Sequence, residues 1–361
     1  MTLQDIAQLR LRKQQIAETR FKKPEEIVRY LLAMQAQEFR MAKWAIGLRL
    51  ENAGDAEVQR AFDEGKILRT HAMRPTWHFV APEDIRWLQE TTSHRVHAFS
   101  GSMYRKLGLE KTFRRSHDVL AKVLQGGNFL TRQELKKELL RNKIRVPTGQ
   151  HLAYLVMRAE LDCVICSGPL RGKQFTYALL EERAPKAKRL DPQDALHELT
   201  LRYFSTRGPA TLKDFCWWSG LTAKEAKPAV DALPKKFLRE KVNGSEYVFD
   251  PSFPKSKTKK LHTSFLMPDY DEYAIAYKDR RALASKREPG RATSFSHFIV
   301  LDGLIEGTWE RKMKNKKPDV RVTPFGSFTR LQQQQAKSAV KRYLEFTDEK
   351  AGAATIPQKR R

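Results

Sequence analysis

Four sets of residues have side chains and spacings that could do chemistry. Cys163 and Cys166 form a C-x-x-C, the half-site spacing of zinc and the spacing of a redox dithiol. Neither chemistry is complete. No second C-x-x-C or H-x3-H follows, and 161–167 reads as a strand where a reactive dithiol needs a helix N-terminus. The two thiols are expected to be small core residues. His94 and His97 lie at i and i+3 about Arg95, as two metal ligands on one helix face would, but a third ligand is missing and a polar helix face is expected. Asp269, Asp271 and Glu272 could hold a metal or act as bases; salt bridges to 278–281, ordering a loop between domains, are the preferred expectation. The fourth set is basic, at 183–189, 255–260 and 311–317, in or beside turns where lysine and arginine could track phosphates.

The chain around these groups has 361 residues, 68 Lys and Arg against 42 Asp and Glu, and a net charge of +26. Such an excess points to a polyanion: nucleic acid, an anionic membrane surface or an acidic protein. A hydrophobic fraction of 40% excludes global disorder. No apolar run reaches the ~18–20 residues of a membrane span, and no continuous amphipathic face suits a membrane surface. Three cysteines are too few for a disulfide framework, and the first residues lack the layout of a secretory signal, so a cytoplasmic, nucleoid-associated protein with reduced thiols is expected.

One arrangement of elements recurs three times: two or three short amphipathic helices, then two short strands. In the first copy the periodicity predicts helices over 24–34 and 41–50, a helix over 56–64 capped by Asp55, and strands over 67–72 and 76–80. The second has helices over 115–124, 132–140 (capped by Thr131 with Glu134) and 151–161, then strands at 164–167 and 174–178. The third has helices at 191–206, 211–218 and 222–233, then strands at 237–241 and 247–249 around Asn243-Gly244. Helices ending in a hairpin describe a winged helix-turn-helix. Beyond 261, strands at 295–301 and 304–311 joined by Asp302-Gly303, a third at 320–323, a helix over 331–346 and a solvated tail are expected. The predicted fold is α+β: three tandem winged helix-turn-helix units at 1–110 (with an N-terminal helix), 111–188 and 189–260, then a small C-terminal β domain with a terminal helix at 261–361. Three units in one chain suit a monomer wrapped on double-stranded DNA.

Five segments carry a more specific likeness: Met34-Gln-Ala-Gln-Glu38, Leu68-Arg-Thr-His-Ala-Met-Arg-Pro-Thr-Trp-His-Phe-Val80, Arg207-Gly-Pro-Ala-Thr-Leu-Lys-Asp-Phe-Cys-Trp-Trp-Ser-Gly-Leu221, Leu266-Met-Pro-Asp-Tyr-Asp-Glu-Tyr273 with Tyr277-Lys-Asp-Arg280, and Val300-Leu-Asp-Gly-Leu-Ile-Glu-Gly-Thr-Trp309. In order and spacing they resemble the AlkZ and YcaQ family of winged-helix DNA glycosylases. The resemblance implies hydrolysis of the N-glycosidic bond of alkylated purines, including unhooking of interstrand crosslinks. It also implies a catalytic element of glutamine, apolar residue, then glutamine or aspartate, here Gln35-Ala36-Gln37.

On a regular helix, i and i+2 point about 200° apart, whereas an extended segment puts them on one face. Gln35 and Gln37 are therefore expected at a helix end or helix-helix junction. A carboxamide exchanges no proton near neutral pH, so the leaving group must need none. A purine alkylated at N3 or N7 is already cationic and departs neutral. The amide oxygens are left to position water and stabilise an oxocarbenium-like sugar. No motif indicates an amine nucleophile, so hydrolysis without strand cleavage and without a cofactor is expected. In the wing of the first copy, Arg69, His71, Arg74 and His78 are expected to bind DNA, with His71 and His78 on the open face and Trp77 turned to the core. Trp217 and Trp218 are expected to be structural. The alternative is a non-catalytic winged-helix DNA-binding protein or transcriptional regulator using the same basic surface.

Overall fold

The computed structural model describes residues 1–252, 263–285, 297–314, 317–349 and 353–356. The basic run 255–260 and residues 315–316 of the run 311–317 lie outside the described residues. No helix among the described residues is long and apolar enough to cross a membrane.

Each of the first three regions closes a small sheet on its helices. The first contains helices Leu3–Lys13, Pro24–Leu31, Phe39–Gly47 and Asp55–Asp63 and strands Ala33–Gln35, Leu68–Ala72 and Thr76–Val80. Its third strand lies between the other two, all antiparallel. A helix of 22 residues, Ile85–Lys106, follows. The second region repeats the order with strands Leu130–Thr131, Ile165–Ser167 and Thr176–Leu179, the last again central, beside helices Phe113–Leu124, Arg132–Arg141 and Gly149–Leu161. In the third, helices Pro192–Arg207, Leu212–Ser219 and Ala223–Asp231 precede the pair Leu238–Val242 and Ser245–Phe249, and a single bridge from Ala210 to Val248 takes the place of the extra strand.

Local chemistry accounts for most element ends. Thr131, Thr211 and Thr222 each accept from the backbone three residues on, and Glu134, Asp214 and Glu225 reach back to complete capping boxes. Asp55 caps nothing: it is the first helical residue and pairs with Lys43 at 2.7 Å. The largest departure from the periodicity is at 24–34. The helix stops at Leu31, Leu32 takes φ 67°, and Ala33, Met34 and Gln35 become a strand. Tertiary pairing to Val80, Phe79 and His78 outweighs the helical rhythm of that segment.

The C-terminal region is a five-stranded sheet in the order Ala353–Thr355, Lys317–Pro324, Leu304–Lys314, Phe298–Leu301, Ser264–Met267, covered by helix Arg330–Phe346. Asp302 (φ 51°) and Gly303 (φ 91°) make the two-residue turn between the strands they join. Part of the expected solvated tail is instead the parallel edge strand Ala353–Thr355.

The cores run across the boundaries suggested by the repeats. Trp44, Phe62 and Phe79 share one with Phe265, Trp309 and Tyr343. Leu68, Val80 and Trp87 share another with Cys166, Tyr203 and Trp218. A third lies within 96–177, around Leu120, Leu135 and Leu155. The first hairpin is therefore interior structure, packed between the regions that follow it.

Candidate active site

Gln35 ends the strand Ala33–Gln35, and Gln37 lies in the bend that leads from it into helix Phe39–Gly47. Gln35 is 6% exposed and Gln37 is exposed. Four contacts hold the segment. The Gln35 backbone N–H donates to Glu272 Oε1 at 3.0 Å, and Arg74 Nη2 donates to Gln35 Oε1 at 3.0 Å. The Ala36 N–H donates to the Trp77 carbonyl at 2.7 Å, while Arg69 Nε donates to the Ala36 carbonyl at 3.0 Å. Gln37 is held more loosely, its Oε1 lying 3.4 Å from the Trp77 N–H. Because arginine has only donors, Arg74 fixes which end of the Gln35 amide is the oxygen; that oxygen keeps a second lone pair for water.

Glu272 is the anchor of this arrangement. It is 1% exposed, and its Oε2 accepts from Arg207 Nε at 2.9 Å, Arg207 Nη2 at 2.8 Å and Trp218 Nε1 at 3.0 Å. One carboxylate thus joins the first, third and C-terminal regions behind Gln35. Two neighbours behave alike: Asp271 takes both terminal nitrogens of buried Arg49 at 2.7 and 2.8 Å, and Asp269 lies 3.3 Å from His297. The expected pairing of this acidic string with 278–281 is replaced by these distant partners, and Asp279 pairs with Arg281 instead. A carboxylate among Met267, Tyr273 and Ile275 is buried and requires a buried cation, which the local sequence does not supply.

The hairpin residues expected on DNA are mostly interior. His78 is 0% exposed, its Nδ1 3.0 Å from the Thr76 carbonyl, and burial holds its imidazole well below the ordinary value, so it is neutral near pH 7. His71 is 8% exposed and bonds buried Glu160 at 2.5 Å. The open-face placement of both histidines is therefore corrected: the register pairs His71 with Trp77 and His78 with Thr70, so they point to opposite faces of the hairpin and both faces are covered, that of His71 by Glu160 of the second region. Arg69 lies over the rings of Trp77 and Phe175 at 4.4 and 4.6 Å, and burial lowers its guanidinium to about 10. Arg74, at the turn, is half-buried; besides Gln35 it reaches the Trp217 carbonyl at 3.3 Å, and burial lowers its pKa. Trp77 is half-buried, 4.3 Å from the His71 ring.

The remaining sets separate. His94 contacts Glu225 at 2.7 Å and His97 contacts Asp162 at 2.9 Å, so the pair does not converge. Cys163 and Cys166 are free thiols; burial pushes Cys163 up to about 12 and Cys166 higher still, which keeps both un-ionised. Trp217 and Trp218 anchor helix Leu212–Ser219, donating to the Ile275 carbonyl and to Glu272. In the linker run, Arg183 bonds the Phe62 and Asp63 carbonyls and is a structural cation.

Comparison with known proteins agrees with this fold. The fold is of the mixed α and β class, and the chain belongs to the AlkZ-like DNA glycosylase family, whose model matches residues 28–346. It is an enzyme of DNA repair. It is 26% identical over 330 residues to the interstrand DNA cross-link repair glycosylase of Streptomyces sahachiroi, covering 85% of this chain and 86% of that protein. The solved structure of the Streptomyces sahachiroi DNA glycosylase AlkZ superposes with a TM-score of 0.81 at 20% identity, over 99% of this chain and 100% of that one.

Proposed function

We propose that this protein hydrolyses the N-glycosidic bond of cationic N-alkylated purines in double-stranded DNA, including bulky adducts and interstrand crosslinks, with Gln35 and Gln37 as catalytic residues. The observation that carries the reading is the glutamine pair at a strand-to-helix junction, with the Gln35 amide oxygen oriented by Arg74. Water held by the amide oxygens adds its oxygen to C1′. The C1′–N bond breaks with its electron pair leaving on the purine, whose positive charge is thereby neutralised, and the proton of the water passes to solvent. A guanidinium beside a developing oxocarbenium is unfavourable unless an anion balances it. A phosphate flanking the lesion supplies that anion, so Arg74 would bind DNA and orient Gln35 together.

The recurrence of helices with a three-stranded or bridged sheet supports reading 1–110, 111–188 and 189–260 as tandem winged-helix units and 261–361 as a C-terminal β domain. The burial of Arg69, His71 and His78 argues against a regulator that reads DNA with the first hairpin. In this reading the protein acts as a cytoplasmic, nucleoid-associated monomer and requires no cofactor.

The test is incubation with a duplex containing 7-methylguanine, then alkali cleavage at abasic sites. Gln35→Ala and Gln37→Ala should each lower the single-turnover rate by about 10²–10³, the loss seen when one transition-state hydrogen-bonding group is removed. Borohydride should trap no protein-DNA adduct. Full activity in the double variant, or a trapped Schiff base, overturns the mechanism.

A further inference from the structure

Gln35 and Gln37 can hold a water but cannot take its proton, because an amide exchanges none near neutral pH. Groups that can take it stand beside Gln37. Two hydrogen bonds tie the glutamine segment to the stretch ending at Glu272. The Gln35 N–H donates to Glu272 Oε1 at 3.0 Å, and Trp44 Nε1 donates to the Leu266 carbonyl at 2.7 Å. Between these ties lie Gln37 and Glu38 on one stretch of chain and Asp269 on the other.

We propose that Asp269 is a further catalytic residue, which accepts the proton of the attacking water, with His297 and Glu38 as positioning residues; this rests on the glycosylase reading above. As the water oxygen bonds to C1′ and the C1′–N electron pair leaves on the purine, one O–H bond of the water breaks. Its proton passes to an Asp269 carboxylate oxygen and from there to solvent. Three observations carry the assignment. First, the two ties place Asp269 in the stretch alongside Gln37, and the charge of Glu38 reaches it. Second, Asp269 keeps access to water. Its side chain and that of His297 are each 27% exposed, whereas Asp271 and Glu272 are sealed on Arg49 and Arg207. Third, His297 is fixed against Asp269. Its ring lies 4.7 Å from that of buried Trp309, and its Nε2, shut off from water, is 3.3 Å from Asp269 Oδ2. A contact of that length has room to tighten when substrate binds.

The charges around Asp269 set the sign of its pH dependence. Burial raises its pKa above the ordinary carboxylate value, His297 lowers it and Glu38 raises it. Other cations on the packed elements are engaged elsewhere, Arg40 and Arg311 with Glu349 and Lys43 with Asp55. The carboxylate is the proton-accepting form, so excision falls as pH falls through that value.

The test is single-turnover excision of 7-methylguanine across a range from about pH 4.5 to 8, where the wild-type protein is expected to show an acid limb. Asp269→Asn should lose the limb and lower the plateau by about 10²–10⁴-fold at unchanged affinity for the duplex. In Asp269→Ala, added formate should restore rate in proportion to its concentration, a rescue that a merely structural carboxylate does not give. His297→Gln should move the limb to higher pH, and Glu38→Gln should move it to lower pH. Glu38 is exposed, so its variant tests the idea should the Asp269 variants fold poorly. The proposal is overturned if Asp269→Asn keeps the rate or the limb, or loses duplex affinity along with rate. It is equally overturned if formate restores nothing to folded Asp269→Ala, or if the His297 and Glu38 variants leave the limb in place. Those results leave the glycosylase reading standing. A wild-type protein that releases no base removes that reading, and the proposal with it.

Discussion

The hairpins at 68–80 and 238–249 arise from similar sequence signals, two β-rich runs about a tight turn, and come to opposite environments. All five residues of Leu68–Ala72 are buried, Arg69, Thr70 and His71 included. Leu238–Val242 has one buried residue, and Leu238 is 43% exposed. The difference is in the surroundings each meets. The first hairpin finds partners for the three buried polar side chains of its first strand: Ala36 for Arg69, Gln89 for Thr70, Glu160 for His71. The third carries Arg239, Glu240, Lys241 and Glu246, charges that stay in water or pair at the surface. A hairpin signal specifies a turn and an alternation. Whether the hairpin becomes a surface wing or a central wall depends on what the rest of the chain brings to it.

Three measurements would break or sharpen that contrast. Phe79 is 0% exposed and packs edge-on against Phe39, so Phe79→Ala should destabilise by about 3–5 kcal/mol in denaturant unfolding. Leu238→Ala should change stability by about 0.5 kcal/mol or less, as at an exposed site; equal losses would abolish the distinction. Next is Gly220, whose added Cβ would lie 2.2 Å from the Met73 carbonyl at φ +79°. Gly220→Ala should lose about 1–3 kcal/mol, with a lowered Tm, because the turn of the first hairpin rests on that glycine. Last is acid. The folded state holds His78 well below the ordinary imidazole value, so below about pH 6.5 the unfolded chain binds the additional proton and stability falls with pH. The slope from this group is at most about 1.4 kcal/mol per pH unit, and His78→Asn should flatten it in unfolding titrations at pH 5–7.

Much of the fold was legible in local chemistry. Thr131 with Glu134, and the turns Asn243-Gly244 and Asp302-Gly303, mark elements the structure contains, because caps and tight turns involve neighbours in sequence. The strand Ala33–Gln35 was hidden behind a helical rhythm, since its strand character comes from pairing with residues 78–80. The likeness to known glycosylases singled out the glutamines, but not what holds them. Arg207 and Trp218 meet Glu272 across 65 and 54 residues, separations at which no periodicity operates.

The hydrogen bond from Gln35 to Glu272 spans 237 residues. During synthesis, the glutamine segment emerges long before its anchor, and at ~5–20 residues per second the interval is on the order of ten seconds or more. A ribosome-bound or prematurely terminated chain can fold its local helices and still have no assembled site. The excision of bases, an activity hazardous to intact DNA if unregulated, is thereby withheld until the chain has been made at least as far as Glu272.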